Sequence, residues 1–221
     1  MYKLIIFDLD GTLLDSIEDL ASSVNYALNL FKLPTHPTEA YKLFIGNGVN
    51  KLIERALPEN NRTANQVEML KHEFIKHYNL HSEEYTKPYD GVEKLLVTLQ
   101  NENYKIAIAS NKFHAATIAL SKQYFPSIQF LDVLGQREGT PTKPNPTILF
   151  EIIEKARVDK KEVLYIGDSG VDASTALNAG VDFVGVLWGF RTKSELEQYG
   201  AKHFSTNTEE LIAFIKKQRT L

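Results

Sequence analysis

Between residues 4 and 12 the chain reads LIIFDLDGT, a short apolar run that stops abruptly at two carboxylates and a glycine. An apolar run of this length, rich in β-branched residues, is typical of a strand buried on both faces. Three similar runs lie at Lys105 to Ala109, Val163 to Ile166 and Phe183 to Leu187, with helix-like segments between them. This alternation predicts an α/β fold, a doubly wound, Rossmann-like parallel sheet.

Residues 17–86 break the alternation of strands and helices. Apolar residues recur there at helical spacing, for example in Leu20-Val24-Leu28 and from Val67 to Tyr78, and no convincing strand is visible. We therefore expect residues 17–86 to form an inserted α-helical cap, and residues 1–16 and 87–221 to form the catalytic core. Such a cap can reach over the carboxyl edge of the sheet, where open α/β sheets bind ligands.

Composition excludes several classes of protein. Of the 221 residues, 43% are apolar, and 25 Lys and Arg against 28 Asp and Glu give a net charge of -3. This balance is that of a globular chain and provides no basic excess for nucleic acid. The absence of Cys excludes disulfides, a thiol nucleophile and Cys-ligated zinc. We expect a soluble, cytoplasmic protein, monomer or homodimer, with a small molecule and neither nucleic acid nor membrane as its partner.

Charged and hydroxyl side chains recur beside the strand ends. They are Asp8 and Asp10 after the first strand, Ser110, Asn111 and Lys112 after the second, Lys143 before a later helix, and Asp168 and Asp172 after the third strand. Each feature has an ordinary explanation when taken alone, as a turn, a helix cap or a solvated lysine. We expect Ser110 to start a helix, where backbone N–H groups bind anions.

Together these features predict a phosphoryl-transfer site. A parallel sheet brings the strand ends to one edge, so four carboxylates would meet there and repel one another unless a cation intervened. Ligation by oxygen alone, without Cys or His, suits Mg²⁺. A metal ion, a lysine and an anion site are the components that stabilise a transferring phosphoryl group.

The same residues resemble, in order, the four motifs of the haloacid dehalogenase-like superfamily of phosphohydrolases, over essentially the whole chain. The resemblance implies that Asp8 is the nucleophile, which forms an aspartyl-phosphate, and that Asp10 is first the general acid and then the general base. It also implies that Ser110, the backbone N–H of Asn111, and Lys143 bind the phosphoryl oxygens.

The resemblance further implies a set of metal ligands. Asp8, the backbone carbonyl of Asp10, and Asp168 would bind Mg²⁺, while Asp172 would lie close behind and orient a metal-bound water or Lys143. Asp10 favours a phosphatase, because the true dehalogenases of this superfamily lack a carboxylate at that position.

A finer similarity is to the phosphoglycolate phosphatase family. It rests on Asp15-Ser16, on residues 44–49 (FIGNGV) and on residues 188–191 (WGFR). We expect Gly46 and Asn47 to contact the substrate, although a Gly-Asn-Gly sequence is equally typical of a turn between helices. Lys42, Lys51 and Arg191 are three candidates for binding a small carboxylate.

The expected reaction is therefore Mg²⁺-dependent hydrolysis of a small phosphate monoester, with 2-phosphoglycolate as the first candidate. A sugar phosphomutase similar to β-phosphoglucomutase and a pyrophosphatase are alternatives on the same core. A receiver-type phosphoacceptor also combines carboxylates, a hydroxyl and a lysine on a parallel sheet, but the second acidic pair argues against it.

Overall fold

The computed structural model describes residues 1–217, which contain one six-stranded parallel sheet and a separate two-stranded pair. The strands are β1 (Leu4–Phe7), β2 (Leu14–Asp15), β3 (Lys87–Pro88), β4 (Lys105–Phe113), β5 (Asp132–Gln136), β6 (Val163–Gly167), β7 (Asp182–Val186) and β8 (Phe204–Ser205). The large sheet has the order β5-β4-β1-β6-β7-β8. Phe7, the last residue of β1, pairs with Ile108 of β4 and Ile166 of β6. The three strands are therefore in register at the edge of the sheet where β1 ends, which we call the catalytic edge.

Helices cover both faces of this sheet. In chain order they are α1 (Ile17–Leu30), α2 (Thr38–Phe44), α3 (Val49–Ala56), α4 (Ala64–His81), α5 (Val92–Asn101), α6 (His114–Tyr124), α7 (Thr147–Ala156), α8 (Gly170–Ala179), α9 (Lys193–Gln198) and α10 (Thr208–Lys217). Ile5 and Phe7 of β1 join one apolar cluster with α5 and α10, whereas Leu4 and Ile6 join the opposite cluster with α7 and α8. The predicted doubly wound parallel fold is confirmed.

The four helices α1 to α4 form a block with an apolar cluster of its own. Leu20 and Val24 of α1 pack there with Phe74 and Tyr78 of α4. The chain enters and leaves this block through the antiparallel pair β2 and β3, in which Leu14 pairs with Pro88. The boundaries of a cap at residues 17 and 86 stay a prediction, and we call this segment the helical block. Within residues 1–217, no helix combines the length and apolarity needed to cross a membrane.

One expected helix start is wrong. Ser110 lies inside β4, which continues to Phe113, and α6 begins only at His114. The pairing of β4 with β5 changes register between Ala109 and Phe113. Such an irregularity re-aims side chains at the end of a strand, so the polar residues of this segment reach the catalytic edge from a strand and not from a helix terminus.

Candidate active site

Three buried carboxylates meet at the edge of the sheet. Asp8 follows β1, Asp168 follows β6 and Asp172 lies in the first turn of α8, and one oxygen from each lies within 4.8 Å of the others. The pKa of Asp8 is raised to about 7, mainly by burial. The charge of Lys143 opposes this shift and the charge of Asp172 adds to it. Burial, with Asp172 and Asp8, also raises the pKa of Asp168. The site therefore concentrates negative charge that a cation would stabilise.

Lys143 provides a positive charge inside this cluster. Its Nζ lies 2.9 Å from Asp8 Oδ1 and 2.7 Å from Asp172 Oδ1, and it donates hydrogen bonds to the Tyr165 hydroxyl and the Ala109 carbonyl. Burial alone would lower the pKa of Lys143, but Asp172 and Asp8 outweigh it and raise the pKa. Lys143 is therefore a fixed cation beside the oxygen of Asp8.

Asp172 holds Lys143 and the start of α8. Oδ1 accepts hydrogen bonds from Lys143 and Tyr165, and Oδ2 accepts from the backbone N–H and the hydroxyl of Ser169. Both oxygens thus already have donors, so the contacts favour an orienting role. A role for Asp172 as a metal ligand stays a prediction.

Asp168 is fixed by the loops on either side of it. Its Oδ2 accepts from the Phe190 backbone N–H at 2.8 Å, and its Oδ1 accepts from the Thr12 hydroxyl. Gly11 has φ +83°, and a Cβ there would lie 2.4 Å from Asp168 Oδ2. Only glycine combines that backbone conformation with so close an approach, which explains the glycine of the DLDGT segment.

Asp10 has a partner to which sequence analysis gave no role. Lys112 Nζ lies 3.1 and 3.2 Å from the two Asp10 oxygens, and Ser16 Oγ donates to Oδ1 at 2.5 Å. Lys112 Nζ also lies 4.6 Å from the ring centre of Tyr78 in the helical block. Sequence analysis ended β4 at Ala109 and so missed this role of Lys112. Had the strand been continued to Phe113, Lys112 would have been placed on the same side as Ser110, because alternate residues of a strand share a side.

The expected phosphate-binding residues lie at the same edge. The Ser110 side chain is buried and its Oγ accepts from the Lys112 backbone N–H. The Asn111 amide donates to the carbonyls of Gly46 and Lys143, and its oxygen accepts from the Lys143 N–H. The Asn111 side chain therefore joins β4 to the segments that carry Gly46 and Lys143, and the contact of its backbone N–H with phosphate stays a prediction.

A cavity of about 60 Å³ lies between this cluster and the helical block. Polar residues line its floor, and the block contributes apolar residues and Gly46 and Gly48. The lining residues include Asp8, Asp10, Ser110, Asn111, Lys112, Asp168, Ser169, Phe190 and Arg191 from the sheet side and Leu20, Ile45, Val49, Leu52 and Phe74 from the block. Carboxylates and cations thus face an otherwise apolar chamber.

The expected substrate contacts from the helical block divide into two groups. Gly46 lines the cavity, whereas Asn47 lines a neighbouring cavity and accepts a hydrogen bond from Arg55 through Oδ1. Arg55 also donates a hydrogen bond to the carbonyl of Phe44. Asn47 thus borders the neighbouring cavity in this conformation, and its expected contact with the substrate stays a prediction.

The fold and the site place the chain in a known family of hydrolases. The sequence profile described as haloacid dehalogenase-like hydrolase matches residues 5–186. The chain belongs to this family, and the predicted resemblance is confirmed.

Curated relatives narrow the comparison. Phosphoglycolate phosphatase of Mesorhizobium japonicum is 33% identical over 213 residues, which cover 94% of each chain. The phosphoglycolate phosphatase of Pasteurella multocida is 35% identical over 195 residues, covering 86% of this chain and 87% of the relative. Family and relatives together identify the chain as a phosphatase enzyme.

Solved structures agree. The crystal structure of a predicted phosphoglycolate phosphatase from Haemophilus somnus has a TM-score of 0.90 at 27% identity, and the match covers 97% of this chain and 98% of that chain. A candidate phosphoglycolate phosphatase from Lactobacillus delbrueckii subsp. bulgaricus has a TM-score of 0.92 at 32% identity, with 97% and 98% covered.

Proposed function

We propose that this phosphatase hydrolyses a small phosphate monoester, 2-phosphoglycolate in the first place, through an aspartyl-phosphate on Asp8. The observation that carries the proposal is the position of Asp8 itself. It is held 2.9 Å from Lys143 Nζ and shares a cavity with Asp10 and Ser110. The names of the curated relatives support the choice of substrate.

The residues present fit a divalent cation. The carboxylate cluster offers only oxygen ligands, within 4.8 Å of one another, and its members are buried. Oxygen ligands of this kind suit Mg²⁺. We propose that Asp8 and Asp168 hold it together with the backbone carbonyl of Asp10. When bound, the ion would neutralise charge on the phosphoryl oxygens and on the nucleophile.

In the first step a carboxylate oxygen of Asp8 attacks phosphorus. The new O–P bond forms as the bond from phosphorus to the ester oxygen breaks, and Asp10 gives its proton to the leaving oxygen. Lys143 and the N–H groups near Ser110 hold the phosphoryl oxygens while charge moves onto them. Asp10 is placed for this transfer because Lys112 and Ser16 fix its carboxylate at the cavity wall.

In the second step the phosphoenzyme is hydrolysed. Asp10 removes a proton from a water molecule, whose oxygen attacks the phosphorus and releases the carboxylate of Asp8. The helical block lies over the same cavity as Asp8 and Asp10. We propose that opening of the block admits the substrate and that its closure excludes bulk water from the phosphoenzyme.

The test is a screen of phosphate monoesters with purified protein, Mg²⁺ and an Asp8→Asn variant. We expect free phosphate from 2-phosphoglycolate, no turnover above trace level by Asp8→Asn, and loss of activity in EDTA that Mg²⁺ restores. Asp159→Asn, an exposed position outside the site, is the matched control and should be as active as the parent.

The screen also separates the alternatives. An isomerised sugar phosphate from a hexose phosphate would favour a mutase, and preference for pyrophosphate a pyrophosphatase. Stoichiometric phosphorylation without steady phosphate release would favour a phosphoacceptor. Substantial hydrolysis by the Asp8→Asn variant would refute the role of Asp8.

A further inference from the structure

Arg191 is a buried cation in the wall of the catalytic cavity. Its side chain is 10% exposed, and it follows β7 in the loop that leads to α9. It lines the cavity that contains Asp8 and Asp10 and also borders the neighbouring cavity that Asn47 lines. Because Arg191 lies beside the proposed catalytic carboxylates, any donor that it has free could bind the substrate.

The guanidinium of Arg191 is only partly engaged. Nη2 donates to the carbonyl of Ile45 in the helical block at 2.9 Å, and Nε lies 3.1 Å from Glu195. Nη1 is buried and has no hydrogen-bond partner among the described residues. A buried donor without a partner is costly, so an acceptor at Nη1 would stabilise the site.

The loop that carries Arg191 is tied to the catalytic residues. The backbone N–H of the preceding residue, Phe190, donates to Asp168 Oδ2, and the Trp188 indole N–H donates to the Thr12 carbonyl at 3.0 Å. These bonds fix Arg191 relative to the carboxylate cluster, so a group bound by its guanidinium is held in a defined position relative to Asp8.

The other cations expected to bind a carboxylate lie elsewhere. Lys42 is paired with Glu39 and Lys51 with Glu54, on the solvent side of the helical block. Lys112, which does line the cavity, is already paired with Asp10. Two cationic side chains, Lys112 and Arg191, are among the described residues that line the cavity. Lys112 forms an ion pair with Asp10, and Arg191 does not.

We propose that Arg191 determines specificity by binding an oxyanion on the leaving group of the substrate, distal to the phosphoryl group. The inference rests on the proposed function and extends it to the substrate's second charge. Guanidinium presents a planar fork of donors that matches a carboxylate or phosphate. The apolar residues Leu20, Val49 and Leu52, which line the cavity from the helical block, offer such a group no side-chain donor.

The test compares substrates with and without an anionic group on the leaving group. Ethyl phosphate has a methyl group in place of the carboxylate of 2-phosphoglycolate, and pyrophosphate is an anhydride whose leaving group is itself a phosphate. Bonds to a charged group contribute about 1.5–3 kcal/mol, which corresponds to roughly 10- to 150-fold. We expect Arg191→Met to lower kcat/KM for 2-phosphoglycolate within this range while ethyl phosphate changes by less than about threefold. Lys51→Met, which removes the same charge outside the cavity, should leave both values unchanged.

The pyrophosphate arm identifies the source of the oxyanion. A selective loss on pyrophosphate assigns a phosphate to Arg191, and a selective loss on 2-phosphoglycolate assigns a carboxylate. An equal loss on all three substrates, or no loss on any of them, would overturn the proposal.

Two further measurements keep the result decisive. Arg191→Lys keeps the charge without the fork, and we expect a smaller but still selective loss; it replaces Arg191→Met if that variant does not fold by circular dichroism. Hydrolysis of ethyl phosphate by the parent and its loss in Asp8→Asn test the phosphatase mechanism separately. The mechanism can therefore stand where the role of Arg191 fails.

Discussion

Lys112 contacts both Asp10, the proposed acid and base, and Tyr78 of the helical block. Lys112 is buried, and burial alone would lower its pKa, but Asp10 and Tyr78 outweigh that effect and raise it. Because Tyr78 belongs to α4, the helical block packs against the cation that holds Asp10. Displacing the block would therefore alter the surroundings of the residue proposed as acid and base.

Replacing Lys112 by Met tests this connection. The change leaves the mostly buried Asp10 carboxylate with Ser16 as its remaining side-chain partner, and breaking a buried pair costs about 3–5 kcal/mol. We expect a loss of unfolding free energy near the lower end of this range and a fall in kcat of at least about tenfold, since Asp10 is no longer fixed. Urea denaturation and steady-state kinetics measure the two effects.

Two controls sharpen the Lys112 experiment. Lys161→Met removes an exposed lysine 3.9 Å from Asp159 and should change stability by less than about 0.5 kcal/mol. The double variant Asp10→Asn with Lys112→Met should lose less stability than the sum of the single variants, since the two residues are in contact. Strict additivity would mean that the pair is not coupled.

At the residue scale, the sequence predicted which charged residues would meet at one edge of the sheet. Asp8 and Asp168 lie close together because each directly follows a parallel strand, and Lys143 joins them from the segment before α7. The orientation of Asn47 was not predicted, because it depends on a hydrogen bond from Arg55 of α3 that no local pattern encodes.

At the element scale, prediction succeeded where short apolar runs are uniformly buried. β1 has the predicted bounds and β6 extends the predicted run by one residue. The edge strand β5 was missed because its residues are only partly buried. The end of β4 was misjudged because its polar residues look like a helix cap, while hydrogen bonds across the sheet continue the strand to Phe113.

Asp19 of α1 fastens the helical block where the chain returns to the sheet. Its buried carboxylate accepts from the backbone N–H groups of Tyr85 and Thr86 and from the Thr86 hydroxyl at 2.6 Å. Asp19→Ala would leave the two buried donors of Thr86 without this acceptor, at about 1–3 kcal/mol for each. We expect a total loss of roughly 2–6 kcal/mol of unfolding free energy, measured by urea denaturation.

The neighbouring residue provides the control for Asp19. Glu18 is exposed in the same first turn, where a negative charge contributes only about 0.3–1 kcal/mol through the helix dipole. If Glu18→Ala and Asp19→Ala cost the same, the fastening role of Asp19 is refuted.

At the scale of the whole molecule, the alternation of strands and helices was enough to predict the sheet and its insertion. The sequence was less informative about how the helical block packs against the rest of the chain. Contacts such as Arg191 with Ile45 and Lys112 with Tyr78 join residues that are far apart in the sequence. The carboxylate cluster is likewise a property of the assembled fold, and its charge links stability to pH.

The sign of that linkage follows from the pKa of Asp8, raised from its ordinary 3.8 to about 7. A carboxylate that binds its proton more tightly in the folded state stabilises the fold fully below its unfolded pKa, and that contribution disappears as the pH rises. In chelator, the Tm should therefore fall between pH about 4 and about 7 more steeply for the parent than for Asp8→Asn.

Mg²⁺ should reverse this loss if it binds the ionised carboxylates as proposed. At a concentration one hundred times its Kd, a ligand stabilises the fold by about 2.7 kcal/mol, and each kcal/mol shifts the Tm of a chain this size by about 2–4 °C. We expect Mg²⁺ to raise the Tm by roughly 5–10 °C at pH 8 and by clearly less at pH 5, measured by differential scanning calorimetry. Asp168→Asn should reduce the rise at pH 8, and an equal rise at both pH values would show that Mg²⁺ binds away from the carboxylates.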